Sequence, residues 1–342
     1  MTMPLALIFA AAAGAAAPVP AAPAAAPPVT WTPSIDVIGA YAVRSVDDGA
    51  WFHTFELPRA HLGVGVERGI VRGRVLAEAV RSAAEGALLG VDGDSLVFRV
   101  REAWGGVAVH PRVNVRGGVV PTASVPAFET AGDLRALGPG GAEDAHLLAA
   151  ADLGAQVQVD GGPWGTLSLG AYNGEGYTQR ELNRGKSSEV VIEVRPLATL
   201  PVLAPLAVIV GGVEGSTGVG RARADRLLGG LVWRGERVRG GADLVYAWGR
   251  DGDGGITSWV AEVFVRADLG APFVGARAWR FQRDVDRDDD HATRIDLTGG
   301  YTIEPGVEVY VIGTRLAAGD DAAAAGAAVD AWEGRIALRV RL

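Results

Sequence analysis

Cysteine is absent and lysine occurs once, at Lys186. Without thiols there is neither a disulfide framework nor a thiolate metal site, which leaves export undecided. The five histidines, His53, His61, His110, His146 and His291, lack metal-ligand spacing. No serine sits in a nucleophile-elbow pattern, and Gly63-Val-Gly65 falls inside a strand pattern, which removes it as a phosphate-binding loop. No cofactor, metal or enzymatic activity is therefore expected. Acids outnumber bases, and a formal charge of −8 argues against a nucleic-acid partner, because neutralising phosphates requires a basic surface. Long apolar runs are scarce as well. Apart from the N-terminus, only Pro196 to Val213 is uncharged over a membrane-spanning length, and Pro196, Pro201 and Pro205 favour strand-turn-strand over a helix.

What is present is glycine, with 49 residues, and a 49% hydrophobic composition that supports a large core. Arginine makes up nearly all of the 32 basic residues. Residues 1–17 combine an apolar stretch with small residues, the pattern of a cleaved signal peptide, although a basic leader is missing. The Pro- and Ala-rich stretch 18–32 reads as a linker, and 33–342 as one domain.

Within that domain, segments of about ten residues alternate with period two between Gly, Asp and Pro clusters. The last of them shows the pattern. Trp332, Gly334, Ile336, Leu338 and Val340 share one face, and Glu333, Arg335, Arg339 and Arg341 the other. The same split recurs in 70–80, 112–119, 149–159, 238–248, 257–267 and 293–303. The chain is predicted to be an all-β transmembrane antiparallel up-and-down barrel of about sixteen strands, beginning near residues 34, 53, 70, 96, 111, 149, 164, 189, 206, 222, 237, 256, 271, 292, 306 and 331. The strands near 206 and 271 alternate poorly, so fourteen and eighteen strands stay open. Glu102 falls on the wrong face of its strand, as a bulge would explain. Short connections alternate with longer ones at 46–51, 82–95, 120–148, 175–188, 214–221, 250–255, 284–291 and 317–328. Short periplasmic turns opposite long external loops are the asymmetry of outer-membrane barrels, which sets the expected location and makes lipid a partner. Tyr246, Trp248, Trp259, Tyr301 and Trp332 are expected at the membrane interfaces.

Sixteen strands leave an aqueous channel. Arg72, Arg74, Arg99, Arg101, Arg112, Arg116, Arg239, Arg266, Arg294, Arg335 and Arg339 are predicted to line it, outnumbering inward acids and so favouring anions. A balanced lattice of wall ion pairs is the alternative. The connection 120–148, with Glu129, Asp133, Arg135, Glu143 and Asp144, narrows the pore if it folds inward and is otherwise a solvated loop. The acidic run 284–291 resembles the start of a calcium loop but lacks the turn glycine and distal glutamate, which favours a solvated loop.

Three stretches resemble the phosphate-selective porin O and P family: Phe55-Glu-Leu-Pro-Arg-Ala-His-Leu-Gly-Val-Gly-Val66, Val100-Arg-Glu-Ala-Trp104 before Val113-Asn-Val-Arg-Gly-Gly-Val-Val-Pro121, and Gly170-Ala-Tyr-Asn-Gly-Glu-Gly176. The resemblance implies a trimeric sixteen-stranded porin whose third loop constricts the channel. Family members that select phosphate have arginines and a lysine-rich zone, and here only Lys186 represents the latter. The expected function is passive diffusion of small hydrophilic solutes with a mild anion preference. A closed structural or adhesive barrel, an outer-membrane enzyme and a soluble exported β-sandwich are the alternatives.

Overall fold

The computed structural model describes residues 27–46, 49–81, 96–174, 176–178, 186–217, 221–250, 252–324 and 329–342. The expected signal segment and most of the 18–32 stretch lie outside the described residues. The strands are β1 (Thr30–Val46), β2 (Ala50–Arg68), β3 (Val71–Arg81), β4 (Leu96–His110), β5 (Val113–Pro121), β6 (Ala151–Asp160), β7 (Gly165–Tyr172), β8 (Ser187–Val194), β9 (Leu206–Glu214), β10 (Ser216–Thr217), β11 (Ala222–Arg223), β12 (Asp225–Arg234), β13 (Val238–Arg250), β14 (Asp253–Asp268), β15 (Pro272–Gln282), β16 (His291–Glu304), β17 (Val307–Ala318) and β18 (Ala331–Arg341). Sixteen of them form one closed antiparallel barrel, and β10 and β11 make a separate small hairpin on the connection between β9 and β12. Closure runs through β1 and β18, from Asp36 opposite Arg341 to Val46 opposite Ala331, and leaves the barrel without an edge.

Alternation explains the two surfaces. Phe98, Leu244, Val263, Leu297, Val311 and Ile336 stand exposed on the outside, while their chain neighbours point inward. A continuous apolar exterior needs lipid. Among the described residues no helix is long and apolar enough to cross a membrane, so spanning falls to the strands. The uncharged run 196–213 resolves into successive turns, where Leu200 N–H donates to the Leu197 carbonyl and Leu203 N–H to that of Leu200, and then enters β9.

The ends of the barrel differ. Short turns close one end, where Gly306 takes φ 88° and a Cβ would stand 2.1 Å from the Arg341 carbonyl oxygen, so only glycine fits there. Two connections read as long, at 46–51 and 250–255, are taken up mostly by strand, because pairing reaches Val46 opposite Ala50 and Arg250 opposite Asp253. β1 also begins earlier than expected. Thr30, Trp31 and Thr32 of the linker stretch pair with Glu67, Val66 and Gly65, because β2 extends far enough to offer them backbone partners.

Two bulges shift side chains between faces. On β2 the pairing skips Leu57 and Pro58, a place where proline costs no ladder bond, and brings Arg59 and His61 inside. On β4 it skips Arg101, so that Arg99, Arg101, Glu102 and Trp104 all reach the interior and Glu102 faces the same way as the two arginines.

Candidate functional site

The connection between β5 and β6 contains α1 (Ser124–Gly132) and α2 (Gly141–Asp144) and lies inside the barrel. Its Val125, Phe128, Leu134, Leu137, Leu147 and Leu148 pack against an inner wall of Ile209, Leu228, Val232, Val245, Val260, Phe264, Trp279 and Phe281. Close approach depends on glycine. A Cβ on Gly132 would meet Phe264 Cδ2 at 2.7 Å, and one on Gly230 would meet Phe128 Cε1 at 2.7 Å. Loop side chains therefore cover an apolar part of the lumen wall on β9 and β12 to β15.

Barrel side chains hold the segment at three places. At its start Glu189 of β8 accepts from the backbone N–H groups of Ala123 at 2.8 Å and Ser124 at 3.0 Å and from the Tyr172 hydroxyl at 2.8 Å, capping α1 from the wall. At its far end Arg277 donates to the carbonyls of Leu137, Gly138 and Pro139 at 2.7, 3.1 and 2.7 Å. Arg294 and Arg335 donate to the same Leu137 carbonyl at 2.6 and 3.3 Å. Between these points Asp133 pairs with Arg339 at 2.8 Å and Arg341 at 3.1 Å. Replacing Glu189 with glutamine, which has one acceptor oxygen for three donors, is expected to lower stability by about 1–3 kcal/mol. Denaturant unfolding followed by tryptophan fluorescence measures this.

On the other side of the segment the wall is charged and an open space remains. A cavity of about 320 Å³ is bounded by Arg59, His61, Arg74, Arg101, Glu102, Asp36 and Arg341 of the barrel and by Val125, Pro126 and Glu129 of the loop. Its charges are largely paired. Arg59 meets Asp36 at 2.9 Å and Glu129 at 3.4 Å, and Arg74 stands 3.7 Å from Glu102. Glu78 is shared by His61 at 3.2 Å, Arg99 at 2.5 Å, Arg101 at 3.1 Å and the Tyr177 hydroxyl at 2.7 Å. Tyr177 comes from the connection between β7 and β8. Burial, reinforced by Glu78, pushes its hydroxyl up to about 12, so it remains a donor at ordinary pH. Arg135 bridges Glu143 at 2.7 Å and Glu129 at 3.1 Å within the loop.

The loop carboxylates respond to these surroundings differently. Burial pushes Asp133 and Glu143 up, but Arg339 and Arg341 beside the first, and Arg135 and Arg101 beside the second, outweigh it and hold both below the ordinary carboxylate range. Burial also works against a charged Arg135, and Glu129 and Glu143 reverse that effect and raise it. Asp144 is different: burial raises it, and Arg294 and Arg277 oppose this only in part. A depressed carboxyl stabilises the fold above its unfolded pKa of about 4 and loses that contribution as pH falls through the folded value. The raised Asp144 acts oppositely, since its contribution is complete at low pH and lost as pH rises. Docking should therefore weaken as pH drops below about 4. The temperature at which the folded gel band is lost is expected to fall in that window, and less so in Asp133→Asn, which has no such carboxyl to protonate.

The arginines predicted to line a pore divide into four groups. Arg74, Arg99 and Arg101 stand on the charged wall near the passage. Arg116, on the same wall, bonds Gln156 and lies over the Trp104 ring at 5.4 Å. Arg266, Arg294, Arg335 and Arg339 are almost fully enclosed by acids and by the loop, Arg266 for example meeting Glu308 at 2.5 Å. Arg72 and Arg239 lie toward the short-turn end, paired with Glu67 at 3.3 Å and Asp268 at 2.7 Å. Arg112 does not lie on a strand. It occupies the exposed turn between β4 and β5, because Val113 begins the ladder and the Arg112 N–H turns back to His110 Nδ1 at 3.2 Å. Tyr246, Trp248 and Trp259 gather on the outer face toward the long-connection end, the first two rings 4.8 Å apart and Tyr246 opposite Trp259. Trp332 is exposed toward the same end, with Arg315 over its ring at 5.1 Å, and Tyr301 is exposed near the opposite end.

Sequence reasoning overlooked Arg59, His61, Glu189 and Arg277. Arg59 and His61 follow a bulge that breaks the parity. Arg277 did leave a signal, as a lone cation sharing parity with Phe273, Trp279 and Phe281.

No family model matches the chain, and no curated protein matches it by sequence. Solved structures do match its fold. OmpF of Salmonella typhi, in complex with daunomycin, superposes with a TM-score of 0.67 at 12% identity, over 91% of this chain and 97% of that one. An anion-selective porin from Comamonas acidovorans gives 0.61 at 13% identity, over 92% and 100%. OmpT, an outer membrane protein of Vibrio cholerae in a trimer form, gives 0.62 at 15%, over 92% and 99%. At such identities the likeness is one of fold. A closed sixteen-strand barrel with a lipid-facing exterior is the architecture of a bacterial outer-membrane protein.

Proposed function

We propose that the protein is a passive diffusion channel for small hydrophilic solutes, with the passage beside the inserted loop as its constriction. The observation that carries this reading is the asymmetric lumen, in which the loop packs on the apolar wall of β9 and β12 to β15 while the opposite side keeps a charged, water-compatible space of about 320 Å³. Arg59, Arg74, Arg101 and Arg341 face that space with Asp36, Glu102 and Glu129. Because the cations are nearly balanced by paired carboxylates, the anion preference is mild. Phosphate selectivity gains little support, since Lys186 sits away from the passage, donating to Asn173 at 3.0 Å. The aromatic residues on the outer face serve as interfacial anchors, and the functional unit is a homotrimer, as in the trimer form of the Vibrio protein.

The test is the reversal potential of reconstituted protein across a potassium chloride gradient. A small potential of anion-selective sign is expected, and Arg74→Glu, altering a side chain only loosely held at 3.7 Å from Glu102, should move it toward cations. Strong cation selectivity of the native channel would overturn the charge argument. A folded protein without conductance would favour the closed structural barrel.

A further inference from the structure

Asp243 lies on β13, opposite Gly230 of β12 and Glu262 of β14. It is 8% exposed, among Val245, Phe264 and the loop residue Phe128. Among the described residues it has neither a hydrogen-bond nor an ion-pair partner, and the carboxylate opposite, Glu262, is engaged with the Gly141 backbone N–H. Burying a carboxylate without a donor is costly, so such a group either keeps its proton or takes a cation as partner.

The space it faces has a definite shape. A cavity of about 60 Å³ lies on the seam between loop and wall, with Val125, Phe128, Leu148 and Phe264 as apolar sides. Val125 and Glu129 border both this cavity and the larger one, so the two lie on either side of the same stretch of loop. At about 10–15 Å³ for each water-sized occupant, the cavity has room for roughly four to six heavy atoms. Four carboxylates, Asp243, Glu129, Glu143 and Glu262, line the cavity against two arginines, Arg135 and Arg277, and the complement of this acidic surplus is a cation that brings several donors on a small apolar body. An ammonium group supplies three. No group of three metal-ligating side chains exists among the described residues, which disfavours a bare metal ion.

We infer that this seam is a binding site for short alkylammonium ions, with Asp243 as counter-ion and Phe128, Phe264, Val125 and Leu148 around the alkyl chain. The ion would lodge where the loop meets the barrel, beside the conducting space and not within it. The site is independent of whether the barrel conducts, and its readout is binding.

The experiment is isothermal titration of n-propylammonium chloride into the folded full-length protein in detergent, with n-propanol as the neutral isostere. Saturable binding of the ammonium with no saturable binding of the alcohol is expected, and Asp243→Asn should weaken it by about tenfold or more, or about 1.4 kcal/mol. Retention of the folded gel band before heating verifies that the variant is assembled. Should Asp243→Asn fail to fold, Leu148→Phe, which narrows the cavity from the loop side and keeps the carboxylate, should give a comparable loss. Absence of saturable binding to the native protein, equal binding of n-propanol, or unchanged affinity in the folded variant would overturn the inference.

Discussion

Removing residues 124–148 and bridging Ala123 to Ala149 with a short Gly-Ser linker is expected to raise single-channel conductance severalfold, because a sixteen-strand barrel without its inserted segment is an open aqueous pore. The barrel itself should survive the excision. Pro121 pairs with Ala151, and Thr122 N–H donates to the Ala150 carbonyl at 3.2 Å, so the chain ends to be joined already lie side by side. The change also wets Val245, Val260, Phe264, Trp279 and Phe281, and stability should fall even though closure through β1 and β18 is untouched. Planar-bilayer recording gives the conductance and heat-induced mobility shifts give the stability. Unchanged conductance would mean that the segment does not limit flow.

Replacing Arg277 with alanine should be among the most damaging single changes to the interior. Its side chain is 3% exposed, joins Asp296 at 2.9 Å and ties down three successive loop carbonyls. Asp296 is fully buried and would keep only Arg294 and the Thr314 hydroxyl, which donates at 2.6 Å. Removing one partner of a buried ion pair costs about 3–5 kcal/mol, because an uncompensated charge is left behind. Denaturant unfolding of Arg277→Ala, Asp296→Asn and the double variant separates the contributions. The double variant should be less destabilised than the sum of the singles, since neutralising Asp296 removes the charge that the first change strands. Conductance of Arg277→Ala should also become noisier, as the loop tip loses its strongest anchor.

The barrel was legible because its pattern is local. Period-two alternation in β3, β6, β13, β14, β16 and β18 separates lipid from water one residue at a time, and the connections mark the ends. The two places where alternation failed, near 206 and 271, are informative in retrospect. In β9 and β15 the inner face carries Ile209, Phe273, Trp279 and Phe281, because it meets the inserted loop and not water, so both faces are apolar and the contrast vanishes. Bulges concealed Arg59 and His61 by moving the parity by one residue. The pairing of the arginines was hidden for another reason. Arg335 and Arg294 face inward as their alternation indicates, yet they share the Leu137 carbonyl, some 157 and more positions away along the chain, and no local pattern encodes such a meeting.

By itself the sequence determined that this chain builds an antiparallel barrel with an apolar outside, a charged inside and one long connection able to enter it, because each of these properties is written in the polarity of successive side chains. Tertiary structure alone decided which inward charges remain beside open space and which are consumed in holding the loop. That division depends on strand register, on two bulges and on where the loop comes to rest. It leaves Arg74 near the passage, fastens Arg277 to the loop tip and encloses Asp243 without a partner among the described residues.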